Sequence, residues 1–102
     1  MKNYKIEYLP LFYKDLEKTT NYIKYKLKNK IAADNLLEEV ENGIKERSLN
    51  PESFEEFHSS RKRKNKYYKI YIKNYIVFYI VKDDIMEVRR ILFNKSNYKN
   101  KV

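Results

Sequence analysis

The sequence contains no cysteine and no tryptophan, a single histidine, a single glycine and two prolines in 102 residues. Without cysteine there is no disulfide or thiolate chemistry, and a zinc site would have to be built from carboxylates around His58. One glycine excludes a glycine-rich phosphate-binding loop. No apolar run approaches the roughly 18 residues of a membrane span, and the N-terminus lacks the apolar segment of a signal peptide. We therefore expect a cytoplasmic protein with no metal, no cofactor and no membrane partner.

The charge that is present is strongly basic and unevenly placed. The net charge is +9, and 11 tyrosines accompany it. Acidic residues dominate residues 34–56, whereas residues 61–73 hold seven bases and no acid. A basic, tyrosine-rich surface is typical of proteins that bind nucleic acid or an acidic protein partner. A solvated loop whose charge complements the acidic segment explains the basic run equally well.

The first half of the chain shows the periodicity of one strand and two helices. Alternation over residues 3–9 predicts a strand, which Pro10 ends while opening a helix. Apolar residues spaced by three and four predict helices from Leu11 to about Asn29 and from about Ile31 to Leu49. A short break between them makes an antiparallel helical hairpin. After this hairpin, Phe54 and Phe57 are expected to anchor an irregular loop to the core.

The second half is organised around residues 67–93, which are rich in Tyr, Ile and Val. This composition predicts three strands, joined by turns at Lys73-Asn74 and at residues 82–84. The fold class is therefore α+β in the order β-α-α-β-β-β, with the N-terminal strand and helical hairpin packed on a mainly antiparallel sheet. Residues 1–102 form one domain, and the polar tail 94–102 is expected to be flexible. Gly43, inside the second helix, indicates a close crossing.

Few residues are candidates for catalysis. His58 with Glu55 or Glu56 could supply the acid and base for RNA cleavage at a 2′-hydroxyl, and nearby basic residues would stabilise the charge of the phosphorane. A mixed-charge surface loop explains the same residues. Arg89 and Arg90 are adjacent in a strand that is otherwise apolar on both faces. We therefore expect one of them to reach a carboxylate, emerge at a sheet edge or line a site.

The order of elements, together with the segment 68–79 (YKIYIKNYIVFY) and the last strand at 88–95 (VRRILFNK), resembles the RelE/ParE superfamily of type II toxins. The resemblance covers nearly the whole chain. It implies a small basic toxin that is neutralised by an acidic cognate antitoxin. RelE-like members cut mRNA on the ribosome, whereas ParE-like members bind DNA gyrase and block replication.

The departures from the RelE-like pattern favour a ParE-like toxin, which would not be an enzyme. RelE-like enzymes often carry an Arg at the position that Ile76 occupies here, and a C-terminal His-Tyr pair where this chain has Leu92-Phe93. The Arg that they carry past the last strand is represented only by Lys95. Two helices of nearly 20 residues also look more ParE-like.

Two other functions stay open. A ribosome-dependent endoribonuclease would draw its catalytic groups from Glu55, Glu56, His58, Arg61, Arg63, Arg89, Arg90 and Tyr98. A non-toxic binding module of the same fold would need none of them. In every case the predicted surface for a protein or nucleic-acid partner consists of Arg61, Lys62, Arg63, Lys64, Lys66, Lys69, Arg89, Arg90 and Lys95.

Overall fold

The computed structural model describes residues 4–57, 65–96 and 102. In chain order the elements are β1 (Lys5–Tyr8), α1 (Pro10–Asn21), a π-helical turn (Tyr22–Lys26), α2 (Lys30–Arg47), β2 (Glu56–Phe57), β3 (Tyr67–Ile72), β4 (Tyr75–Lys82) and β5 (Ile85–Phe93). The predicted order β-α-α-β-β-β and the α+β class are confirmed. The additional strand β2 is only two residues long, and it exists because it pairs with β3.

The first helix is shorter than predicted. Pro10 stands in its first turn, as expected, but the α-helix ends at Asn21 after 12 residues. The chain continues as a π-helical turn, and Lys28 then adopts a left-handed φ of 52° before α2 begins. Apolar spacing did not show this boundary, because Ile23, which continues the apolar spacing of the predicted helix, is also buried in the π-helical turn. Asn29 starts α2 by accepting a hydrogen bond from the Ala32 N–H at 3.0 Å.

The five strands form one mixed sheet in the order β1-β5-β4-β3-β2. β1 lies parallel to β5, and the other neighbours are antiparallel. The turn at Lys73-Asn74 is confirmed as a two-residue hairpin connection. The second turn, predicted at residues 82–84, consists of Asp83 and Asp84 alone, because Lys82 is the last residue of β4. Their left-handed residues are Lys73, with φ 53°, and Asp83, with φ 55°, rather than Asn74.

The helices cover one face of the sheet. Phe12, Leu36, Val40 and Ile44 pack there against strand residues that include Tyr79. The expected close approach at Gly43 is present: a Cβ at this position would lie 3.1 Å from Cδ1 of Ile72 on β3. Glycine therefore lets α2 lie directly on the sheet.

The opposite face of the sheet carries a second buried cluster, formed by Phe57, Tyr67, Ile76, Phe78, Ile80, Leu92 and Val102. Val102 lies within the tail that was expected to be flexible, yet its side chain is buried in this cluster. Because both faces of β4 are buried, this strand is an almost continuous apolar run.

Candidate functional site

The two adjacent arginines lie at an irregularity of β5. Phe78 pairs with Arg90 and Tyr79 pairs with Val88, so Arg89 has no partner residue across the ladder. This is a β-bulge, which interrupts the strict alternation of faces expected for the pair. Bulges re-aim side chains, and here both guanidinium groups reach carboxylates.

Arg90 is held by Asp15 of α1. Its Nε and one Nη donate to the two carboxylate oxygens at 2.8 and 2.9 Å, and the Ile91 N–H donates to the same carboxylate at 3.2 Å. The Asp15 and Arg90 side chains are only 11% and 20% exposed. These hydrogen bonds raise the pKa of the Arg90 guanidinium above its ordinary value. Sequence reasoning missed Asp15, because nothing local shows that it faces a residue 75 positions away.

Arg89 is also paired. One Nη donates to the Glu87 carboxylate at 2.6 Å, and the guanidinium carbon lies 5.7 Å from the centre of the Tyr67 ring. Of the three placements expected for one arginine of the pair, the structure shows a carboxylate partner, and it shows one for both arginines. Both guanidinium groups are thus already engaged with carboxylates.

The other described candidates do not converge on a single site. Lys66 and Lys95 are exposed, and Lys95 follows the end of β5. Lys69 is half-buried, with its amine 5.4 Å from the Phe57 ring centre and 5.0 Å from that of Tyr71. Glu55 is exposed just before β2, and Glu56 lies in that edge strand. The remaining candidates, His58, Arg61, Lys62, Arg63, Lys64 and Tyr98, lie outside the described residues.

Ile76 shows what occupies the position at which a RelE-like enzyme carries an arginine. Its side chain is 0% exposed and belongs to the cluster on the face opposite the helices. It pairs across the ladder with Leu92, which is also buried in that cluster. This part of the sheet is therefore packed core. Within the described ranges, no group of three or more metal-ligating side chains occurs, and no helix has the length and apolarity to cross a membrane.

A buried polar network, also missed from the sequence, joins the end of α2 to the sheet. The Tyr79 hydroxyl donates to the Pro51 carbonyl at 2.7 Å and accepts from an Arg47 Nη at 2.9 Å. The same Nη donates to the Lys69 carbonyl at 3.1 Å. Burial raises the pKa of the Tyr79 hydroxyl, and the Arg47 hydrogen bond opposes part of that rise.

Phe54, expected to anchor to the core, is instead exposed and stacks on Arg47, 3.5 Å from its guanidinium carbon.

Two open grooves flank the sheet where the helices leave it. The first, about 630 Å³, lies between α2 and β3 and has Gly43, Arg47, Phe54 and Tyr71 in its walls. The second, about 690 Å³, lies between α1 and the ends of β4 and β5, above the Asp15–Arg90 pair. Both are shallow surface features, suited to a macromolecular partner rather than to an enclosed small molecule.

Comparison with known proteins agrees with the fold. The family model described as "ParE toxin of type II toxin-antitoxin system, parDE" matches residues 6–98. Among solved structures, the chain is similar to one in the RelB-RelE antitoxin-toxin complex from Methanococcus jannaschii, with 24% identity and a TM-score of 0.51 over 92% of this chain and 96% of that one. It is also similar to YafQ from E. coli strain BL21(DE3), with 19% identity and a TM-score of 0.52 over 88% and 92%. No curated protein sequence matches the chain.

Proposed function

The chain belongs to the ParE toxin family of type II toxin–antitoxin systems, within the RelE/ParE superfamily, and we propose that it inhibits growth by binding DNA gyrase rather than by cutting RNA. The observation that carries this proposal is the packed sheet face around Ile76. A ribonuclease of the RelE-like kind needs polar groups on the sheet, whereas here Ile76, Phe78 and Leu92 fill that face with apolar side chains.

The positions of the described catalytic candidates support the same proposal. Glu56 lies in β2 and Arg90 in β5, with β3 and β4 between them. Three strand spacings separate the two backbones by about 14 Å. General acid–base catalysis requires its groups within hydrogen-bond reach of one reacting centre. In addition, Asp15 already binds Arg90 through two hydrogen bonds. A protein that acts by binding requires no such convergence.

The experiment that tests this proposal uses purified toxin, purified gyrase and plasmid DNA. We expect the toxin to inhibit supercoiling in proportion to its concentration and to increase the amount of cleaved plasmid. Heat-denatured toxin at the same concentration is the control. In cells, induced expression should give DNA breaks and filamentation while messages remain intact. Codon-positioned cuts in translated mRNA, with gyrase activity unchanged, would establish the ribonuclease instead. Normal growth without either effect would leave the non-toxic binding module.

The proposed partner that keeps the toxin inactive is an acidic antitoxin. The net charge of +9 favours a partner of opposite sign. The similar chain from M. jannaschii is itself part of an antitoxin–toxin complex. Co-expression with a short acidic neighbouring reading frame should restore growth and yield a complex that weakens as salt rises. At low salt, replacing exposed Lys66 by Glu should lower the affinity of the complex below that of the unchanged toxin. The same change at exposed Lys82, at the far end of β4, should leave the affinity unchanged.

A further inference from the structure

The groove between α1 and the ends of β4 and β5 is lined by three aromatic rings. Tyr22 comes from the π-helical turn, Tyr75 from the start of β4 and Phe93 from the end of β5. Tyr75 and Phe93 meet edge to face, with ring centres 5.6 Å apart and an interplanar angle of 62°. Two of the rings remain open to solvent, since Tyr22 is 51% and Phe93 43% exposed. Neighbouring exposed rings in one groove are a feature of binding surfaces.

The third ring, Tyr75, is less exposed than the other two. Tyr75 is half-buried, and burial raises the pKa of its hydroxyl, with a smaller contribution from Tyr22. Tyr75 is therefore the least accessible of the three rings, and Tyr22 stands where the helix changes from α to π geometry. Such π-helical turns occur frequently at functional sites.

One lysine, Lys18, lies in the wall of this groove, and two more precede and follow it along the chain at multiples of four residues. Lys14, Lys18, Tyr22 and Lys26 follow one another at intervals of four residues, so they lie along one side of the helix. Lys18 itself lines the groove. Within the part of the chain that the structure describes, these three lysines form no ion pair. The Asp15–Arg90 pair in the floor is mutually neutralised, so Lys18 is the charged lining residue of the groove outside that pair.

We propose that this groove binds single-stranded DNA, with bases stacked on the rings of Tyr22 and Phe93 and with phosphates contacting Lys14, Lys18 and Lys26. Aromatic side chains beside a positively charged row are the two components of sequence-tolerant single-strand binding. A duplex would engage the lysines but keep its base faces hidden. An acidic peptide would also engage the lysines without requiring exposed ring faces. The choice of DNA over RNA rests on the proposed function, because gyrase acts on DNA.

The test measures fluorescence anisotropy of a labelled 20-nucleotide oligo-dT strand with the purified toxin. Replacing Tyr22 by Ala should weaken binding about tenfold, which is the loss of one stacked base. Tyr22→Phe keeps the ring and should keep the affinity. Tyr71→Ala is the matched control, because Tyr71 is an exposed ring in the wall of the other groove. Both positions, Tyr22 and Tyr71, are at the surface, so the three variants should fold equally well.

The lysine row is tested through the salt dependence of the same binding. The double variant Lys14→Gln, Lys18→Gln should lower the slope of log Kd against log salt by about 1.4, which corresponds to two released phosphate contacts on a single strand. Lys82→Gln is the control and should leave the slope unchanged. Lys82 is at the far end of β4 from Tyr75, about 23 Å away at the rise of an extended strand.

Several results would overturn the inference. The first is the absence of oligo-dT binding. The second is an equal loss of affinity in Tyr22→Ala and Tyr71→Ala. The third is binding that Tyr22→Ala does not weaken and that polyglutamate displaces. Tighter binding of oligo-rU than of oligo-dT would show that the groove prefers RNA and would refute the DNA assignment. Because no gyrase is present in these measurements, a negative result leaves the gyrase proposal intact. Failure of gyrase inhibition likewise leaves the oligonucleotide binding unaffected.

Discussion

The ion pair between Asp15 and Arg90 joins α1 to the bulge of β5, and removing it should lower stability substantially. We consider the replacement of Asp15 by Ala. The change deletes two charge-assisted hydrogen bonds from Arg90 and the acceptor of the Ile91 N–H. The Arg90 guanidinium loses its carboxylate, and the Ile91 N–H loses its acceptor, at the joint between helix and strand.

The magnitude follows from how far the two groups are buried. Exposed ion pairs contribute about 0–1 kcal/mol, whereas removing one partner of a buried pair costs about 3–5 kcal/mol. Side chains that are 11% and 20% exposed lie nearer the buried limit. We therefore expect Asp15→Ala to destabilise the fold by about 3 kcal/mol, including about 1 kcal/mol for the Ile91 N–H. Asp15→Asn retains an acceptor for that N–H and should cost about 2 kcal/mol.

The assay is urea unfolding of the purified protein followed by circular dichroism. With a slope near 1.5 kcal/mol per molar, a loss of 3 kcal/mol moves the midpoint down by about 2 M. Arg90→Met alone should cost about 2 kcal/mol, and the double variant should cost less than the sum by about 1.5 kcal/mol. Glu87→Gln is the matched control, because Arg89 makes one bond to Glu87 and is 33% exposed. It should cost at most about 1 kcal/mol.

A coupling energy below about 0.5 kcal/mol between Asp15 and Arg90 would refute this reasoning. It would mean that water replaces the carboxylate at little cost, as at an exposed pair. Equal losses for Asp15→Asn and Glu87→Gln would lead to the same conclusion.

Three further predictions concern the core, the helix start and pH. Ile76→Arg should prevent folding or lower the free energy of unfolding by more than about 4 kcal/mol, since it places a charge in a fully buried position. Soluble yield and circular dichroism measure this effect. A folded variant whose stability is within about 1 kcal/mol of the parent would contradict it. Asn29→Ala should cost about 1 kcal/mol in thermal unfolding through loss of the cap to the Ala32 N–H, while Asn29→Ser should cost much less. Burial raises the pKa of the Tyr79 hydroxyl. The neutral hydroxyl therefore contributes its full stabilisation below the unfolded pKa of about 10, and this stabilisation is lost as pH rises through the folded pKa. The loss is at most about 1.4 kcal/mol per pH unit. Tyr79→Phe should therefore be less stable at neutral pH but lose stability less steeply above pH 10. Parallel curves for the two proteins would show that folding does not raise the pKa of Tyr79.

Local patterns predicted most of the elements and failed where geometry depends on distant residues. The strands at 67–93 and the two hairpin turns follow from alternation and composition. The end of α1 does not, because Ile23, which continues the apolar spacing of the predicted helix, is also buried in the π-helical turn. β2 could not be foreseen, because two residues acquire strand geometry only through pairing with β3.

In the candidate site, too, some features could be predicted from the sequence and others depend on distant residues. The unusual placement of Arg89 and Arg90 in an apolar strand is visible in the sequence, and it led to the expectation that one of them reaches a carboxylate, emerges at a sheet edge or lines a site. Which carboxylate each reaches depends on the bulge of β5 and on where α1 crosses it. The signal that could have indicated Asp15 is its position one residue before Leu16, beside the apolar face of α1.

By itself the sequence determined the class, the order of elements, the basic character and the membership of a toxin superfamily, because these depend on periodicity, composition and the spacing of residues along the chain. Only the tertiary structure decided that Ile76 lies in a covered core, that both arginines are neutralised and that Tyr22, Tyr75 and Phe93 line one groove. Those facts arise from contacts between residues far apart in the chain. No local pattern encodes such contacts, because each depends on how the helices and strands pack together.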